Sequence, residues 1–167
     1  MKIFRTKHKL LNFWLDVALI VGLASLLLYV FFWPVRISGF SMSPGVNHGD
    51  QLIFSRFLGR FGNLSSGDVV LVNLDGRLVV KRLAATGGDH VLIAGDRLYV
   101  NGILAGWPLY GQSSIEIEKT LLEGEVFLLG DNLSVSTDSR HFGPVDQSQI
   151  VAKILIRYFP FTDIKFY

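Results

Sequence analysis

Three hydroxyls crowd one short stretch of this chain, Ser38 to Asp50 (SGFSMSPGVNHGD), together with glycines and Pro44. A serine on a constrained backbone is a candidate nucleophile, but it needs a base to take its proton. The histidines are weak candidates. His48, His90 and His141 lie in Gly-rich or polar turns, and His8 precedes a long apolar run. No H-E-x-x-H or comparable ligand spacing exists, so no metal is expected. The chain has no cysteine, which excludes a thiolate nucleophile, a disulfide and a cysteine-type zinc site. Lys81 is the stronger base. It sits in LVVKRLAA, where a strand puts Val79, Lys81 and Leu83 on one face. Such a lysine is either an edge-strand residue reaching water or a buried amine. Burial disfavours the charged form and lowers the pKa, and a neutral amine can accept a serine proton. Arg82 faces the other way and does not deprotonate. A third dense block is Gly130 to Gly143, GDNLSVSTDSRHFG. Taken alone it is a polar turn closing a strand. On a strand, Asp138 and Arg140 would share a face and could form a scaffold salt bridge.

The elements that must position these residues begin with a membrane anchor. Val17 to Val35 carries no charged residue and is rich in Leu, Val, Ile and Phe. As a helix such a run spans roughly 28 Å, close to a bilayer core. Trp14, Tyr29 and Trp33 lie towards its ends, where interfacial aromatics are common. The run is too long for a cleaved signal peptide, and no small-x-small site closes it. The expected division is a cytoplasmic basic tail at 1–12, a transmembrane helix at 13–35 and an extracytoplasmic domain at 36–167. Lys2, Arg5, Lys7 and Lys9 hold the N-terminus in the cytoplasm by the positive-inside rule. The chain is half hydrophobic, with a mean hydropathy of +0.40. From Arg36 onward there are 12 basic and 13 acidic residues, so the domain lacks the positive field a nucleic-acid partner requires. Ser41 follows Val35 by six residues, which puts it within about 20 Å of the membrane edge. The lipid bilayer is thus an expected partner, and a monomer is expected.

The remainder predicts strands and turns. Apolar or β-branched runs at Gln51–Phe54, Asp68–Asn73, Leu78–Ala84, His90–Ile93, Arg97–Val100, Glu125–Leu129 and Ile150–Phe159 are separated by turn signals. Asp75-Gly76 and Gly95-Asp96 predict hairpins. Arg56 to Ser66, with Gly59 and Gly62, predicts a loop. Besides the membrane segment, only Asp146 to Ile150 has a helical pattern. The fold class is therefore mostly β: an antiparallel β catalytic domain on one N-terminal transmembrane helix.

Taken together, the blocks resemble the type I signal peptidases, membrane-bound serine proteases with a Ser/Lys dyad. SGFSMSP (Ser38–Pro44) resembles the nucleophile motif and implies Ser41 as nucleophile. SGDVVLV (Ser66–Val72) resembles the family's Gly-Asp strand. KRLAATGGD (Lys81–Asp89) resembles the general-base block and implies Lys81 as base. GDNLSVSTDSRHFGPV (Gly130–Val145) resembles the last family box, implying that Ser136 assists the lysine while Asp138 and Arg140 hold the fold. The chain departs from the family pattern at Gly45-Val46, at Gly87-Gly88 and at Leu133. Gly39 stands where some members carry an oxyanion-donating serine. The oxyanion hole is then expected to use the Ser41 backbone N–H, with Ser38 assisting.

The resemblance implies an endopeptidase that cuts signal peptides from exported preproteins, without metal or organic cofactor. It implies small residues, usually alanine, one and three positions before the cut. The preprotein is expected to lie extended along a strand edge, against Phe40, Met42 and Val79. Two rivals belong to other classes. A self-cleaving repressor with Ser/Lys chemistry would need a DNA-binding N-terminal domain where this chain has an apolar helix. A catalytically inactive, membrane-anchored β module would not need both Ser41 and Lys81.

Overall fold

The computed structural model describes residues 2–167, with side chains from residue 9 onward. The side chains of Lys2, Arg5 and Lys7 therefore lie outside the described residues. The chain forms two compact units, Met1–Phe32 and Trp33–Tyr167.

The first unit is one helix, α1 (Lys2–Phe31). Its segment Lys9–Phe31 is long and apolar enough to cross a membrane. Leu19, Ile20, Val21, Leu28 and Tyr29, which point to different sides of the helix, are all exposed. A helix apolar on every side needs a non-aqueous surrounding, which fits a membrane anchor. The helix stops short of the expected end at Val35, and strand β1 (Phe32–Arg36) takes over. Pro34 is the physical reason. It has no N–H to donate, its ring would strike the carbonyl four residues back, and it biases Trp33 to an extended backbone.

The second unit is built from β2 (Gln51–Ser55), β3 (Val69–Leu74), β4 (Arg77–Thr86), β5 (His90–Ala94), β6 (Arg97–Val100), β7 (Ile103–Leu104), β8 (Ile117–Thr120), β9 (Glu125–Leu129), β10 (Val145–Asp146), β11 (Ile150–Phe159) and β12 (Lys165–Phe166). The larger sheet runs β1-β2-β11-β3-β4-β9-β10, with β12 on β11. The smaller runs β7-β6-β5-β8. Pairing from β2 onward is antiparallel throughout both sheets. Mostly antiparallel β architecture behind an apolar helix is thus the observed fold class. Asp75 (φ 51°) and Gly76 (φ 83°) turn the chain between β3 and β4, as the Asp-Gly signal predicts. That hairpin fixes the register that sets Lys81 opposite Val70.

Apolar side chains of the larger sheet form three buried clusters, one of them shared with the smaller sheet. Leu52, Phe54, Val69, Leu71 and Ile154 are fully buried together with Met42 and Val46 of the segment after β1. Ala84, Ala85, Phe127 and Leu129 of the larger sheet pack with Val91, Ile93 and Leu98 of the smaller, joining the two. Each such Leu, Ile or Phe contributes about 1.5–3 kcal/mol by leaving water.

The stretch expected as a loop after β2 holds a short helix, α2 (Arg56–Phe61). Ser55 caps it, its Oγ accepting from the Leu58 N–H at 3.2 Å. Gly59 reads as a loop residue but serves packing, because a Cβ there would run into the Ala152 backbone. Asp146 to Ile150 is only a single 3-10 turn, Gln147–Gln149, capped by Asp146.

Candidate active site

Lys81 lies mid-strand in β4 with only 4% of its surface exposed. Val70 lies opposite it on β3, fully buried at 0%, and Leu83 on its own face of β4 is buried too. Its Nζ donates to the Ser136 Oγ at 2.7 Å. Burial pushes the Lys81 amine below its ordinary value. Asp138 opposes that shift, Arg140 adds to it, and Asp131 opposes it. The choice left open between a snorkelling and a buried amine is therefore resolved as burial.

Ser136 is itself buried. It is fixed through its backbone, whose N–H donates to the Asn132 carbonyl at 3.1 Å. Asp138 behind it is completely buried. Its carboxylate accepts from Arg140 Nε at 2.8 Å and from the Gly130 N–H at 3.0 Å. Burial alone would raise this carboxyl. Hydrogen bonds from Arg140, the Gly130 backbone and Ser136 outweigh burial and hold the group below the carboxylate range. The expected strand face shared by Asp138 and Arg140 does not exist. Asp138 is instead the N-cap of a short helix, α3 (Ser139–Phe142), and Arg140 folds back onto it. Asp prefers such caps because its carboxylate satisfies free backbone N–H groups. Arg140 also donates to the Leu133 and Ser136 carbonyls at 2.9 and 3.1 Å, tying the loop around Ser136.

Ser41 occupies the turn after β1 and is half-buried. Its carbonyl accepts from the Asn132 N–H at 3.0 Å, which joins the serine turn to the Ser136 loop. Gly130 sits where they meet. A Cβ there would collide with the Ser136 hydroxyl and the Ser41 carbonyl. Arg157 of β11 anchors the other end of the turn, donating to the Gly45 carbonyl at 3.2 Å and to Asp50 at 3.1 Å. Gly45 lies against Asp131, and a Cβ there would enter the Asp131 carboxylate. That contact accounts for the departure at Gly45. Asp131 in turn accepts two bonds from Arg82, at 2.7 and 2.6 Å. Adjacent residues on opposite faces of β4 thus hold the same loop, Lys81 through Ser136 and Arg82 through Asp131.

Ser41 and Lys81 line one groove of about 380 Å³. Its walls are Trp33 to Arg36 of β1 and Leu78 to Val80 of β4, with Ser38, Gly39, Met42 and Thr137 alongside. Ser38 is exposed at this rim. Val79 lines the wall. Met42 is 2% exposed and belongs also to the core. Phe40 does not line the groove; it is 63% exposed and stacks on His48. His48, His90 and His141 are all outside the groove. His48 Nδ1 accepts from Gly39, His90 faces Glu118 at 3.4 Å, and His141 Nδ1 accepts from the Asp138 N–H. The motif blocks did not disclose Arg157 or Thr137. Arg157 acts across more than a hundred positions and has no local signal. Thr137 was legible only as the neighbour of Ser136.

Comparison with known proteins shows the family. A signal peptidase I from Bacillus licheniformis is 30% identical over 168 residues, covering 91% of this chain and 90% of that one. The mitochondrial ATP-independent inner membrane protease subunit 1a of Arabidopsis thaliana is 38% identical over 129 residues, covering 75% of this chain and 69% of that protein. The solved structure of a signal peptidase I from Enterococcus faecalis V583 aligns with 55% of this chain and 96% of its own, at 26% identity and a TM-score of 0.47. The family model for signal peptidases, peptidase S26, matches residues 10–159, and the chain belongs to that family.

Proposed function

We propose that this chain is a membrane-anchored serine endopeptidase that removes N-terminal signal peptides from exported preproteins by a Ser41/Lys81 dyad. The observation that carries this is the buried Lys81 amine, bonded to Ser136 at 2.7 Å and lining one groove with Ser41. Ser41 Oγ attacks the scissile carbonyl while neutral Lys81 takes its proton. The tetrahedral intermediate collapses, the C–N bond breaks, and Lys81 returns the proton to the leaving amine. Water, deprotonated by Lys81, then hydrolyses the acyl-enzyme and restores Ser41. Ser136 and Asp138 orient the amine, and Arg140 holds them. The Ser41 backbone N–H, with Ser38 assisting, stabilises the oxyanion.

The groove suits an extended peptide. β1 ends the larger sheet, and β4 pairs with β9 only from Arg82 to Thr86. Both walls therefore offer unpaired strand edges on which a preprotein can add main-chain hydrogen bonds. We place the residues from Arg36 onward outside the cytoplasm, with 1–12 inside and one anchoring helix, as a monomer in the cell membrane.

The test is cleavage of a purified preprotein by the full chain and its variants. Ser41→Ala and Lys81→Met should each lose at least about 10⁴-fold in kcat/KM, and the double variant should be no worse, because the two act as one unit. Ser136→Ala should lose about 10–100-fold with the fold intact. Turnover by Ser41→Ala near the unmodified level would remove the proposal.

A further inference from the structure

We infer that His48 is a positioning residue for the reaction, holding the turn that carries Ser41 so that the Ser41 peptide N–H meets the developing oxyanion. The inference rests on the Ser41/Lys81 reading above.

Both residues immediately before Ser41 are held by one imidazole. The Gly39 N–H donates to His48 Nδ1 at 3.2 Å. The Phe40 ring stacks on the imidazole, with centroids 5.5 Å apart and planes 27° apart. The base of this loop is already closed without His48. The Ile37 N–H donates to the Asp50 carbonyl at 2.9 Å, and the Gly49 N–H to the Ile37 carbonyl at 3.0 Å. Asp50 also caps the Asn47 N–H at 2.9 Å. His48 is therefore not what closes the loop. What it adds is a tie from one arm, just before Gly49, to the other arm, two residues ahead of Ser41.

That tie matters because of Gly39. Its φ of +104° lies where only glycine is comfortable, and no atom lies within contact distance of where a Cβ would stand. Packing does not restrain this residue, and glycine has the widest backbone freedom. The Phe40 carbonyl accepts from the Ser43 N–H at 3.1 Å, so a rotation at Gly39 tilts the turn that follows as a unit, and with it the N–H at Ser41. The hydrogen bond to Nδ1 and the stacked Phe40 ring remove that freedom from two sides. Accepting at Nδ1 requires the neutral imidazole with its proton on Nε2. Ser38, Gly39 and Ser41 line the groove, whereas Phe40 and His48 do not. His48 thus acts through the turn and not by touching substrate. Its contribution falls on the transition state, where the oxyanion forms, and hence on kcat.

Two substitutions separate the acceptor from the ring. His48→Asn keeps an oxygen at the position of Nδ1 and loses the ring. His48→Phe keeps a ring against Phe40 and loses the acceptor. Preprotein cleavage by the purified full chain is measured for both, with Ser41→Ala as control and thermal melts alongside. His48→Phe should lose about 10–100-fold in kcat with KM and the melting temperature unchanged, the scale expected for a misdirected oxyanion donor. His48→Asn should recover most of that loss. Three results overturn the inference: His48→Phe at full activity, His48→Asn no better than His48→Phe, or a rise in KM with kcat unchanged. Failure of the dyad itself reads differently, as persistent cleavage by Ser41→Ala.

Discussion

Lys81 carries an amine that costs stability to protonate where it lies. Its folded pKa is below the ordinary 10.5, chiefly through burial. Between the depressed value and 10.5 the unfolded chain holds this proton and the folded chain does not. Stability therefore rises with pH across that window, and below it the folded domain bears the full cost of a buried ammonium. On the proposed dyad, activity follows the same group from the other side, because only a neutral amine can accept the Ser41 proton. We expect kcat/KM to climb with pH through the depressed value. Lys81→Arg should be inactive at every pH, since a guanidinium does not deprotonate. Lys81→Met should melt no lower than the unmodified chain near neutral pH and should lose the pH-dependent rise in melting temperature. Melting curves and cleavage rates over one pH series check all three. An active Lys81→Arg would move the base to another residue.

The elements that carry the proposed site meet through backbone contacts as well as side chains. Asn132 and Gly130 bring the loop after β9 against the turn after β1. Gly130→Ala should therefore cost far more than a methyl ordinarily does. The Ser136 hydroxyl could rotate away, but the Ser41 carbonyl is main chain and has no such freedom. We expect a loss of about 1–3 kcal/mol in stability and at least about 100-fold in cleavage, read by denaturant melts and preprotein assay. Gly106→Ala, at a glycine outside the groove with no positive φ and open space where a Cβ would stand, is the comparison. Much at this level was legible beforehand. Asp75-Gly76 signalled the hairpin, strand alternation signalled the face of Lys81, and the ordered blocks pointed to Ser41, Lys81, Ser136, Asp138 and Arg140, which the fold brings close together. What escaped had no local signature. α2 was hidden because Gly59 and Gly62 imitate a loop, whereas one serves contact with Ala152 and the other caps the helix. β1 was hidden inside the apolar run, where only Pro34 marks the change of structure. The Asp138–Arg140 pair was expected, but spacing by two residues on a strand does not foresee a helix cap.

For the whole molecule, the testable quantity is sidedness. The basic residues ahead of the apolar helix predict a cytoplasmic N-terminus and an external β unit. Protease added to intact spheroplasts should degrade residues from Arg36 onward and leave a membrane-protected fragment containing 1–35. Complete protection of the β unit would reverse the orientation, and with it the proposed action on exported preproteins. The charge distribution agrees with this arrangement, since the β unit is close to neutral and the positive excess lies at the N-terminal end of α1.

The sheet order has a consequence in time. β11, among the last strands to be synthesised, lies between β2 and β3, which are made some eighty or more residues earlier. Its Arg157 also supplies the anchor for the Gly45 carbonyl behind the serine turn. A half-made chain therefore already contains Ser41 and Lys81, the proposed nucleophile and base, but lacks the strand that lies between β2 and β3. On the Ser41/Lys81 reading, cleavage is expected only once the C-terminal strand β11 has docked between β2 and β3.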